Sequence, residues 1–370
     1  MDGMDFSVNT RALHGLADLL DRRDHDLVRT ADYLAEQRHL EFGPGLLNLL
    51  SGTHERTMDA VDRLLRRAGG DYLHPYSFGV NAAIQDYDSS DAAANARVDV
   101  ILPGVVRSAA MAPPGPADPV LGPRIFDDPQ RLSLDPPPDY HARYPYRPEW
   151  YDLFSPTTIA RDVVWYGSTV AVRLGLLDRP CDPFEAVTAP LCGDWAGLER
   201  VSFALTQVCE ATAMTSIRVD AGATTLDRVW TGRAADNCRS ALHRFATDLE
   251  PAAGIVAEIA TNYHRVAEAA REQAEVLSGL VSLLYDIAGS FGTEAVVELV
   301  VDSSKTVEAA ARLADVITKI SHLVEGLHAT VEGRKVTIAA LAADVGLLTN
   351  RPIDINLPDD LPALPTPARR

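Results

Sequence analysis

One apolar seam limits what this chain can fold into. From Cys238 onward, Leu242, Phe245, Leu249, Ala252, Val256, Ile259, Tyr263, Val266, Ala270 and Leu277 recur at steps of three and four, with a single gap at Gln273. That spacing lines one face of a helix and needs a second helix to cover it. Pro251 removes one ladder donor inside this arm, so a kink is expected there. Upstream, Leu198, Val201, Leu205, Val208, Val219, Leu226 and Val229 keep the same rhythm. Between the two runs stand Trp230, Thr231 and Gly232. Gly leaves the right-handed helical region without steric cost, and the indole can roof the end of the seam. The expectation is an αα-hairpin over 194–277 with its tip at Trp230.

A second hairpin is expected over 1–98. Leu13, Leu16, Leu20, Leu27, Ala31 and Leu34 mark an amphipathic helix from Asn9 to Leu40, and Gly43, Pro44 and Gly45 stop it. Leu47, Leu50, Thr57, Val61 and Leu64 give the return arm, which should end near Gly69 and Gly70 because Pro75 opposes a simple continuation. A shorter helix then resumes around Val80. On it Tyr87 precedes Asp91 by four residues, a spacing that also suits an ordinary i, i+4 pair.

With these residues in place, the chain resembles the WXG family of ESAT-like proteins, helical hairpins exported by the type VII (ESX-like) secretion systems of actinobacteria and related bacteria. Trp230 and Gly232 match the family's tip motif. The chain is also similar to longer actinobacterial members, in which a Pro-containing segment ending in Gly-Asp-Trp, here Gly193, Asp194 and Trp195, precedes the hairpin. Tyr87 and Asp91 match the tyrosine-to-acid export signal of such proteins. The resemblance implies a secreted or cell-surface protein that leaves without a signal peptide. Its implied partners are the secretion ATPase and machinery, a small WXG-type hairpin, or a second copy of the chain. Two alternatives accompany it: a cytoplasmic adaptor or chaperone for an exported partner, and a helical assembly protein unrelated to secretion. Paired hairpins of the family lie antiparallel, so the tip of one meets the open end of the other. This chain carries Trp230 on one hairpin and Tyr87 on the other, and an intramolecular four-helix bundle that joins them is expected.

The rest of the chain fits an all-α bundle with a Pro-rich linker and a disordered tail. The linker, 99–157, holds Pro113, Pro114, Pro116, Pro119 and Pro136 to Pro138, a density that denies both helix and sheet ladders. It should be extended, with its late aromatics free to dock on helices. Within 158–193, the stretch Thr158 to Leu177 is apolar on most sides and should be a buried helix, and a Pro-punctuated loop follows from Arg179 to Cys192. Asp194 can cap the helix starting at Trp195. Over 278–350 two helices, to Phe291 and to Thr330, should be followed by a short one bracketed by Gly333 and Gly346. Ala310, Leu313, Ile317, Ile320, Val324, Leu327 and Val331 again call for a helical partner. Residues 351–370 are Pro-rich and expected to be disordered.

Charge and chemistry narrow the function. A net charge of −18 without a clustered basic block argues against nucleic-acid binding. Met1 to Phe6 carries two aspartates and no apolar run, so no signal peptide is expected, and Val276 to Val301 is too interrupted by acids to span a membrane. Of the four cysteines, Cys181 and Cys192 flank a loop and could bridge after export. Cys209 and Cys238 fall too far apart along the hairpin and read as small core residues. The ten histidines form no two-ligand helical spacing, and no glycine-rich phosphate loop or hydrolase signature occurs. The expectation is therefore a non-enzymatic protein with no catalytic residues, no cofactor and no metal.

Overall fold

The computed structural model describes residues 7–101, 122–126, 131–140, 158–182, 184–289 and 304–350, with the backbone alone over 91–101, 158–162 and 288–289 and at 123, 184, 188 and 305. The Pro-rich tail, most of the linker and residues 290–303 lie outside these. The described residues are helical throughout their long elements and contain no strand; one isolated antiparallel bridge joins Val8 to Trp230.

Helix α1 (Thr10–Gln37) is capped by Asn9, whose Oδ1 accepts the Ala12 N–H at 3.0 Å. Its leucines and alanines at the predicted spacing are all buried. After the turn at Gly43 to Gly45, α2 (Ser51–Arg66) runs back along α1, fastened on the surface by Arg38 to Asp59 and Arg66 to Asp32. The return arm does not stop at Gly69 and Gly70. It widens into one π-turn, Arg67–Leu73, and continues as α3 (His74–Ile101). The His74 N–H reaches back five residues to the Gly69 carbonyl. Pro75 follows at once, where the widened turn has already shifted the ladder, so its missing donor breaks nothing.

The second hairpin stands as expected and is longer. Helix α4 (Thr158–Arg173) and two short turns, Phe184–Thr188 and Ala189–Leu191, lead into α5 (Trp195–Leu226), and α6 (Arg233–Gly289) returns. Four ties hold α5 and α6 in a single register. Glu199 pairs with His264 at 2.7 Å, the Ser202 hydroxyl donates to the Ala260 carbonyl at 2.8 Å, the Ser216 hydroxyl donates to the Ala246 carbonyl at 2.8 Å, and Asp220 pairs with His243 at 2.6 Å. That register sets Cys209 opposite Ala253, far from Cys238, and both thiols are free. Helix α6 passes Pro251 and Leu277 without interruption for 57 residues.

Helix α7 (Ser304–Thr349) packs on α6 and α2. It runs through Gly333 and Gly346, which were expected to bracket a separate short helix; neither glycine meets another part of the chain. Its seam, from Ala310 to Val331, finds its partner inside this chain, so the bundle has a fifth long member beyond the two hairpins. Helix α4 lies against α6 and α7 with Val164, Val170 and Ala171 buried. It is not buried all round: Trp165 is 50% exposed. Of the linker, Pro123–Phe126 and residues 131–140 dock on the helices. Phe126 is buried, the Tyr33 hydroxyl donates to the Asp135 carbonyl at 2.8 Å, and the Asp135 N–H donates to Gln207 Oε1 at 3.2 Å. No helix among the described residues is long and apolar enough to cross a membrane.

Candidate functional site

The two hairpins lie head to tail, and each tip is built into the open end of the other. At the first tip, Gly43 (φ 62°) and Gly45 approach the backbone of the segment that enters α5, and the Asp194 N–H donates to the Glu41 carbonyl at 2.9 Å. Gly193 (φ 148°) leaves no room for a side chain, since a Cβ there would meet Leu47 and the Phe42 carbonyl. Asp194 caps α5 through the Gly197 N–H at 2.7 Å, and the buried Trp195 indole donates to the Leu191 carbonyl at 2.7 Å. Gly193, Asp194 and Trp195 thus form the latch between the first tip and the second hairpin.

At the second tip, the α5 ladder ends in a tight turn over Leu226 to Trp230, and Gly232 adopts φ 108°, a conformation that favours glycine. The N-terminal segment closes over this tip. Asn9 N–H donates to the Val229 carbonyl at 2.8 Å, Thr231 N–H to the Ser7 carbonyl at 2.9 Å, and Ser7 N–H to Thr231 Oγ1 at 2.9 Å. Arg239 then pairs with Asp227 and Asp236 behind the turn.

Trp230 is buried, 4% exposed, and Tyr87 of α3 stands beside it. Their rings meet edge to face, with centroids 6.2 Å apart and planes at 81°, and the indole Nε1–H donates to the Tyr87 hydroxyl at 3.3 Å. This is the favoured geometry for two aromatic quadrupoles, worth about 0.5–1.5 kcal/mol beyond area burial. The structure therefore brings together three of the four residues singled out in the sequence: Tyr87, Trp230 and Gly232. Asp91 follows Tyr87 by one turn on the α3 backbone, and its side chain lies outside the described residues.

No disulfide joins Cys181 to Cys192 in this structure. Cys181 is buried, its N–H donates to Ser168 Oγ at 3.0 Å, and burial pushes its thiol up to about 11, so it has no thiolate character near neutrality.

Sequence reasoning missed two polar clusters because their members are far apart in the chain. In the first, His54 is 2% exposed between the hairpins. Its Nε2 lies 2.8 Å from the Arg38 carbonyl, which can only accept, so Nε2 carries the proton and Nδ1 accepts from the Tyr263 hydroxyl at 3.1 Å. Burial lowers the His54 pKa and strongly raises that of Tyr263. In the second, Asp24 of α1 sits under the π-turn with His74 Nδ1 3.4 Å from Oδ2. Burial pushes the Asp24 carboxyl up against the opposing pull of His74 and His25. His25 itself is an exposed residue whose Nδ1 lies 2.8 Å from the Asp21 carbonyl. Comparison with known protein families, with curated proteins and with solved structures found no match.

Proposed function

We propose that this chain is a non-enzymatic helical substrate or component of a type VII (ESX-like) secretion system, exported as a folded bundle. The observation that carries the reading is the contact of Tyr87 with Trp230. Two residues picked out by separate motifs, 143 positions apart, share one edge-to-face pair at one end of the bundle. A transport machine reading that end would meet the tip turn and the outgoing α3 together, and would do so only when the hairpins are paired. Export would then be coupled to folding.

Blotting of culture supernatant, with and without an intact secretion ATPase, tests this. The wild type should reach the medium only with the ATPase. Trp230→Ala removes the buried indole at about 3 kcal/mol and should stay in the cell pellet, and Asp91→Ala should be retained while its circular dichroism matches the wild type. ATPase-independent appearance, or normal export of both variants, contradicts the proposal. A second reading draws on the burial of Trp230, which presents little surface to a receptor: here the motif is a packing device in a cytoplasmic adaptor for an exported partner. Wild-type protein confined to the pellet, with an intact ATPase, would favour it.

A further inference from the structure

We propose that Asp21, Asp24 and His74 form a binding site for a divalent cation of the zinc class, which clamps α1 to the π-turn of the opposite arm. One ligand atom from each lies within 4.8 Å of the other two. Asp21 and Asp24 are three apart and share a face of α1, and His74 closes the π-turn above them.

The buried member supplies an independent observation. Asp24 is 8% exposed, and its Oδ1 is shut away from solvent with no hydrogen-bond partner. A buried carboxylate oxygen without a donor is costly. The neighbouring Arg23 pairs with Asp26 at 3.2 Å and donates no hydrogen bond to this oxygen. The π-turn presses on this same group: a Cβ at Gly69 would come within 2.8 Å of Asp24 Oδ1. Single π-turns inside α-helices are frequent at functional sites. Here the turn brings the His74 ring onto the carboxylate from across the hairpin.

The donor set selects the ion. Imidazole nitrogen with two carboxylates suits zinc, whereas magnesium and calcium prefer six or more oxygens. Zinc holds such ligands at about 2.0–2.2 Å, which places tetrahedral donors roughly 3.5 Å apart. The present spread closes by turning the Asp21 and His74 side chains, 51% and 63% exposed, about the fixed Asp24. Water fills the fourth position.

The test is calorimetric titration of the untagged full-length chain with zinc chloride. One equivalent should bind, and His74→Ala and Asp21→Asn should each weaken that binding by roughly tenfold or more. Both substitutions fall on exposed side chains, so loss of folding does not confuse the outcome. At free zinc of about 100 times Kd, the folded-to-unfolded ratio should rise about 100-fold, read as a higher thermal midpoint that magnesium does not reproduce. Absence of a one-equivalent phase, or the same affinity in both variants, overturns the proposal.

Discussion

His54 shows how a single side chain can join two hairpins. Its ring touches Phe42 at the first tip edge to face, accepts from Tyr263 of α6 and donates to the Arg38 carbonyl at the end of α1. A proton on Nδ1 would replace that acceptor with a donor in a site with little water. Burial, which disfavours the charged ring, holds the folded-state pKa below the ordinary 6.5. Between that value and 6.5 the unfolded chain binds more protons, so stability rises with pH across the window. The contribution is complete above about pH 6.5 and is lost as pH falls below it. Urea midpoints at pH 5.5 and 7.5 should separate more for the wild type than for His54→Gln; equal separation would show that His54 does not titrate with folding. Nothing in the local sequence marked this residue, since His54, Arg38 and Tyr263 meet only in the folded bundle.

The elements are legible in the sequence where periodicity is strong, and not where a glycine, a proline or the last seam residue marks an apparent stop. The seams at Cys238 to Leu277 and Ala310 to Val331 are buried as their spacing required, apart from Cys238 and Val324, which are half-buried against the core. The breaks expected at Gly69, Leu277 and Gly333 do not occur, because packing along a neighbouring helix outweighs the local cost of a glycine or a missing donor. The π-turn has no sequence signature of its own; it lies where Gly69 packs closely on Asp24 of α1. The glycines now divide by environment. Gly69→Ala would drive a methyl against Asp24 Oδ1 and its carbonyl, at 2.8 and 3.1 Å, and should cost about 1–3 kcal/mol. Gly333→Ala and Gly346→Ala meet open space inside α7 and should each stabilise by about 0.5–1 kcal/mol. Thermal unfolding of the three variants checks the signs; destabilisation by both α7 substitutions would mean that those glycines serve a contact outside this chain.

At the scale of the molecule, the hairpins satisfy each other within one chain. Pairing two seams through a covalent connection replaces a bimolecular encounter with an effective concentration near millimolar, and α7 then covers α2 and α6 together. In the sequence, Trp230 at the tip of one hairpin and Tyr87 toward the open end of the other pointed to this closure. The sequence did not foretell the N-terminal segment, whose Ser7 joins the tip through a backbone bond and through the Thr231 hydroxyl, partners that meet only in the folded chain. That segment offers the most direct measurement of the pairing. Ser7 Oγ and Thr231 Oγ1 lie 3.1 Å apart although 224 positions separate them. A Ser7→Cys, Thr231→Cys chain should form that disulfide under mild oxidation at low protein concentration. It should migrate as a monomer on a non-reducing gel, with the 7–231 peptide pair identified by mass spectrometry. A crosslink recovered only in dimers or higher species, or no 7–231 pair at all, would contradict the self-paired bundle.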